Sequence, residues 1–194
     1  YSISNIIVQV SINNFGVDTM AAWTAYSKID FIFWMINSAF GISVMTFVGQ
    51  NYGAGKWDRI RRGTKICLGM ALISAVSVSI ILMSAERFLF GIFVNDAGVV
   101  EIGIHMMNVI APAYLLFAFI EVFSGALRAQ GAVVVSTLIT MVGICVLRMI
   151  WVTLVAAHGT LEQVIICYPI TWAAGALAMS IYYIYKQRKI FQAR

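Results

Sequence analysis

Five stretches of this chain, residues 31–55, 66–85, 102–120, 129–147 and 163–185, contain no Asp, Glu, Lys or Arg. The shortest of them run to 19 residues, and a helix needs about 20 apolar residues to cross the hydrocarbon core of a bilayer. Lipid offers no hydrogen-bond partners, so a crossing segment must close its own backbone bonds, as a helix or as a barrel strand. Barrel strands span about ten residues and alternate polar with apolar side chains. These stretches are too long and too uniformly apolar for that pattern. Charged residues make up 11% of the 194, against about 25% in soluble domains, which leaves too little polar surface for a fold in water.

The expected fold is all-α and membrane-embedded, with six transmembrane helices at approximately 1–17, 31–52, 66–86, 102–125, 131–156 and 163–185. The first closes at Gly16 and Asp18 and is at the short limit for a crossing. The chain opens at Tyr1 inside an apolar segment with no basic leader. It therefore reads as a piece cut within a helix, without a signal peptide. Six crossings and short links use up the length, leaving almost nothing for a soluble catalytic domain, so an enzyme is not expected.

Charge position sets the expected orientation. Lys56, Arg59, Arg61, Arg62, Lys65, Arg128, Lys186, Arg188, Lys189 and Arg194, ten of the thirteen Lys and Arg residues, fall on one side of this topology. The other side holds Lys28 and Arg87 together with Asp18, Asp30, Glu86, Asp96, Glu101 and Glu162. Basic links stay in the cytoplasm, so both chain ends are expected inside, in the inner (plasma) membrane. Tyr182, Tyr183 and Tyr185 beside Lys186 read as an interfacial anchor on that side. Nucleic-acid binding would need a basic face on a soluble domain, and none is available. Cys67, Cys145 and Cys167 fall in or beside apolar runs without metal-ligand spacing. They read as small membrane residues, with no metal site and no disulfide framework.

A few polar residues need a reason to be in lipid. Glu121 is the one acid well inside an expected span, where insertion costs about 2.5–3.5 kcal/mol. It either faces a wet cavity and binds a proton or cation, or is a structural carboxylate. Arg128 lies two turns on, on the same helix face. Arg148 in the fifth helix snorkels outward or pairs with a neighbouring helix, or else binds an anionic group. His105, one turn from Glu101, is an outer interfacial histidine or part of a proton relay. His158 reads as a loop residue. Asn5, Gln9 and Asn13 form a stripe four residues apart that should face protein or water. Asn37, Ser38, Asn108 and Tyr114 are weaker candidates of the same kind. Pro112 should kink its helix, and Pro169 is either a benign first-turn proline or a bend. Gly55-Lys56 is no phosphate loop, because Gln50 and Trp57 replace its glycine and its Ser/Thr and a membrane helix, not a strand, precedes it.

Two links carry a family resemblance. Val48-Gly49-Gln50-Asn51-Tyr52-Gly53-Ala54-Gly55-Lys56-Trp57-Asp58-Arg59 closely resembles the link after the eighth helix of multidrug and toxic compound extrusion (MATE) transporters. Ser124-Gly125-Ala126-Leu127-Arg128-Ala129-Gln130-Gly131 resembles that family's Gly-Ala-Leu-Arg-Gly-x-Gly link after the tenth helix, with Ala129 where glycine is usual. Asn14-Phe15-Gly16 with Ala21-Ala22-Trp23 looks like the end of the seventh helix. Tyr168-Pro169-Ile170-Thr171-Trp172 looks like the start of the twelfth. The resemblance implies the C-terminal six-helix lobe of a twelve-helix, two-lobe transporter. It would export small organic cations or drugs in exchange for Na+ or H+ by alternating access, without a cofactor. Its partners would be the bilayer and the N-terminal lobe of the same parent protein. Gly49, Gln50, Gly53, Gly55, Arg59 and Arg128 would form the cytoplasmic hinge motif. Gln9, Asn13, Asn37 and Tyr114 would line the cavity, and Glu121, four residues before Gly125, is the local candidate for ion coupling. The first helix carries no acid. A lipid-linked sugar flippase or related exporter half, and a non-transporting membrane assembly module, are the alternative readings.

Overall fold

A computed structural model describes residues 2–155 and 159–192. Tyr1, Ala156, His158 and Arg194, expected at a crossing start, a crossing end, in a loop and in the basic tail, lie outside the described residues. The described residues are helical with short links and contain no strand. Helix α1 covers Ser2–Asn13, α2 Val17–Gly53, α3 Trp57–Ser84, α4 Glu86–Phe93 and α5 Ala97–Ile110. A 3-10 turn at Ala111–Ala113 leads into α6, Tyr114–Ala129. Helix α7, Val133–Thr140, passes through a π turn at Met141–Val146 into α8, Leu147–Leu154. The short α9, Leu161–Ile165, precedes α10, Cys167–Gln192. Five helical stretches are long and apolar enough to cross a membrane: Val17–Gly53, Trp57–Ser84, Ala97–Ala129, Val133–Leu154 and Leu161–Ile190. The chain is a multi-pass membrane protein.

The main correction to the expected segments concerns the second. Its helix begins at Val17, not near residue 31, so Lys28 and Asp30 lie inside a helix instead of a link. Gly16, at φ +101°, ends the preceding turn, and no proline interrupts residues 17–53. Its buried residues, Trp23, Tyr26, Asp30, Phe33, Asn37, Gly41, Val44 and Val48, recur every three or four positions along one face. At 37 residues the helix is about 55 Å long, well beyond the hydrocarbon core of about 30 Å. A charged residue therefore need not mark its end.

Helix α6 is the centre of the bundle, packed against α2, α3 and α10. Pro112 produces not a simple kink but the 3-10 turn before it, so that Tyr114 enters α6 fully buried. The closest approach is between α2 and α6: a Cβ at Gly125 would stand 2.6 Å from the Gly41 carbonyl oxygen. Small residues let backbones meet in lipid, where dispersion and not water expulsion holds helices together. Pro169 is the third residue of α10, the benign first-turn position.

The glycine-basic link is shorter than its motif. Gly49, Gln50 and Gly53 belong to the last turn of α2, and the connection is Ala54, Gly55 and Lys56. Gly55 takes φ +66°, and the Lys56 N–H donates to the Asn51 carbonyl at 2.8 Å, which caps the helix in the left-handed manner glycine allows. At the second link Gly131 takes φ +79°. There Gln130 is buried, its carbonyl accepting from Lys186 Nζ at 2.8 Å and its side-chain oxygen from Gln187 Nε2 at 2.9 Å. Arg59 and Arg128 are both exposed.

Candidate functional site

A cleft of about 600 Å3 opens beside α2, α6, α8 and α10. Aromatic residues form much of its wall: Trp23, Trp34, Phe117, Tyr168 and Trp172. Trp34 and Phe117 meet edge to face at 4.6 Å, Phe117 and Trp172 at 5.5 Å, and Tyr168 and Trp172 at 5.6 Å. Ring edges are positive and ring faces negative, and an aromatic face not occupied by a neighbouring edge can take an organic cation.

Asp30 is the best-held group in this cleft. It is 9% exposed. Trp34 Nε1, one turn on along α2, donates to its Oδ2 at 2.5 Å. The Tyr114 hydroxyl, reaching across from α6, donates to Oδ1. Tyr26 lies 3.2 Å from that hydroxyl, and with the Tyr114 proton committed to Asp30 it is Tyr26 that donates. Phe33 stacks on Tyr114 at 3.9 Å and 8°, which fixes the phenol's direction. Hydrogen bonds to a charged acceptor are about twice as strong as neutral ones, so this network holds a carboxylate where lipid would otherwise penalise it. Asp30 corrects the expectation that Glu121 is the one acid inside a span. Sequence did carry a signal: Tyr26, Asp30 and Trp34 stand four apart, one face of any helix running through them.

Glu121 lines the same cleft, in the middle of α6, one turn before Gly125. Its side chain lies over Gly41, close enough that a Cβ there would meet Glu121 Cγ at 2.8 Å. Arg128, which follows it on α6, is exposed. Arg148 is the third charged group and does not snorkel: it is 2% exposed. Nη1 donates to Asn5 Oδ1 at 3.0 Å, the guanidinium sits 4.1 Å over the Tyr168 ring, and Thr171 Oγ1 is 3.5 Å from Nη2. Its Nε has no partner among the described residues. The π turn immediately before it explains the orientation, since the altered helical repeat re-aims the face that follows.

The other expected site residues divide. Gln9 and Ser38 line the cleft, Gln9 donating to Asn13 Oδ1 at 3.0 Å. Asn13 is exposed and does not line it, being more than a turn further along α1 than Gln9. Asn37 is buried on α2 with Nδ2 unpartnered among the described residues, but behind the cleft wall. Tyr114 is likewise behind the wall, acting through Asp30. Asn108 and His105 are exposed, and Glu101 pairs with Arg87 at 2.6 Å instead of His105.

A family model described as MatE matches residues 1–154. The chain belongs to the MatE family. This MatE chain is 24% identical to the probable multidrug resistance protein YoeA of Bacillus subtilis over 194 residues, covering 97% of itself and 42% of YoeA. Against the multidrug and toxin extrusion protein 1 of Homo sapiens it is 22% identical over 158 residues, 78% of itself and 28% of that protein. Its fold superposes on an outward-facing multidrug resistance MATE family transporter with a TM-score of 0.89 at 15% identity, covering 98% of this MatE chain and 44% of the other. The Vibrio cholerae MATE transporter VcmN gives a TM-score of 0.86 at 16% identity, with 97% and 43% covered. The chain thus spans less than half the length of these relatives, and the structural likeness at such identities shows the fold alone.

Proposed function

We propose that this chain is the C-terminal six-helix lobe of a two-lobe secondary transporter that exports organic cations in exchange for Na+ or H+. The observation that carries the reading is the Asp30 carboxylate, held by Tyr114 and Trp34 in a cleft lined by the aromatic residues Trp23, Trp34, Phe117, Tyr168 and Trp172. Such a site attracts a cation twice, through the carboxylate and through the rings. Asp30 is the principal ion-binding group, with Glu121 a second acid across the same space. Exchange follows if the coupling ion and the organic cation compete for this charge, and the lobes rock around it. The N-terminal lobe would supply the facing wall. The basic links and both chain ends lie on the cytoplasmic side of the inner membrane.

The test uses the full-length parent protein in a drug-sensitive bacterium. Export of a cationic dye from energised cells is expected. Failure to export any dye or drug at normal membrane levels overturns the reading. Inverted vesicles given a sodium or a proton gradient identify the coupling ion, and Asp30→Asn should remove the response to it.

One observation favours a second reading. Arg148 borders the same cleft with no carboxylate paired to it among the described residues. A relative from Shewanella oneidensis, 22% identical over 169 residues and covering 87% of this chain and 37% of its own, is named an FAD transporter. Cargo bearing an anionic group would meet the guanidinium. Vesicle uptake of a flavin nucleotide that Arg148→Gln abolishes would establish that reading over the first.

A further inference from the structure

A second recess, sharing no lining residue with the cleft, lies at the start of α3. It measures about 700 Å3 and is lined by Asp58, Arg59, Arg61, Arg62, Lys65 and Ile66. Four cations face one carboxylate. Among the described residues, Arg59, Arg62 and Lys65 form no ion pair, and all three are exposed. Bundle packing does not explain their clustering, because the buried face of this part of α3 is Ile60 and Thr64.

The same side of α3 continues as a strip of exposed apolar side chains. Ile66 is 57% exposed, Met70 56% and Ile73 71%. From Arg62 these positions follow at i+4, i+8 and i+11, one face of an α-helix. From Arg62 to Ile73 the rise is about 16 Å, close to half of the hydrocarbon core. A basic recess at the head of a one-leaflet apolar strip has the dimensions and polarity of one phospholipid. Basic clusters immediately beside a crossing helix attract anionic lipid, and arginine forks pair with phosphate oxygens.

We propose that this recess is a binding site for an anionic phospholipid of the adjoining leaflet. The headgroup phosphate sits among Arg59, Arg62 and Lys65, and an acyl chain lies along Ile66, Met70 and Ile73. Because α3 also packs on α2 and α6, the helix that holds the lipid is in contact with the two helices that carry the cleft carboxylates. The site does not depend on what the cleft transports.

Native mass spectrometry of the detergent-purified full-length protein tests this with phosphatidylglycerol and phosphatidylcholine as probes. Phosphatidylglycerol adducts should be retained in preference. The R59Q/R62Q/K65Q variant should weaken them by roughly fivefold per charge removed. The charge-preserving R59K/R62K/K65R variant should hold the lipid, and R188Q/K189Q should leave retention unchanged. A thermal transition within the wild-type range shows that the triple glutamine variant is folded. Equal retention of the two lipids, or full retention by the folded triple glutamine variant, overturns the proposal. Displacement by millimolar inorganic phosphate also overturns it, by showing a soluble-anion site. If the triple glutamine variant does not fold, brominated phosphatidylglycerol in nanodiscs should still quench Trp57 of the wild type more than brominated phosphatidylcholine does. Equal quenching overturns the proposal as well.

Discussion

Asp30 and Glu121 border one cleft and are built in opposite ways. Asp30 is enclosed: two donors hold its oxygens, a second phenol backs the first, and a stacked ring fixes Tyr114. Glu121 has no hydrogen bond among the described residues and rests on a glycine. The first arrangement fixes a charge in position before any ion arrives, which is what lets electrostatics act without reorganisation cost. The second leaves an acid free to turn into open space, held only by the steric gap at Gly41. Preorganisation here comes from hydrogen-bond donors on aromatic side chains, and plasticity from the absence of a side chain.

The sharpest way to break this contrast is Asp30→Asn. Ion-driven transport by the full-length protein should fall to background while Glu121→Gln retains a measurable rate. The reverse ranking in vesicle uptake would make Glu121 the principal group. Next is Gly125→Ala, whose new methyl meets the Gly41 backbone carbonyl and cannot be relieved by a rotamer change. Overpacking of this kind costs about 1–3 kcal/mol, measurable as a loss of thermal stability in detergent. Gly41→Ala should cost less, because Glu121 can swing into the cleft. Equal losses would mean that Glu121 is also fixed. Tyr114→Phe removes one hydrogen bond to a charged acceptor, about 1.5 kcal/mol, measurable as a smaller loss of thermal stability in detergent. The smallest effect belongs to Glu121→Gln, since the half-buried Glu121 carboxylate has no hydrogen bond to lose among the described residues. A fivefold or smaller change in uptake is expected.

Much of the architecture was legible from residue order. Charge-free runs mark five crossings that the structure also has, and Gly55 and Gly131 mark two sharp links. The family followed from Val48–Arg59 and Ser124–Gly131, with the MatE match to residues 1–154 in agreement. The site was only half legible. Glu121 stood out because it interrupts an apolar helix, whereas Asp30 sat near Lys28 and looked like a link. Charge alone does not tell a helix that leaves the bilayer from a helix that has ended. Arg148 was visible, but its inward direction depends on a π turn that residue order does not advertise.

By itself the sequence determined that the chain lives in a membrane as helices, because apolar length and the hydrogen-bond demands of lipid allow little else. It also determined where the sharp links fall, because glycine alone takes their backbone angles without strain. Tertiary structure decided which charged groups meet. Asp30 and Tyr114 are 84 positions apart in the chain, Arg148 and Asn5 are 143 apart, and Gly41 meets Glu121 only where α2 and α6 touch. Such pairings arise from the angle and register of packed helices, and these are set by small residues and ring contacts summed over the whole bundle.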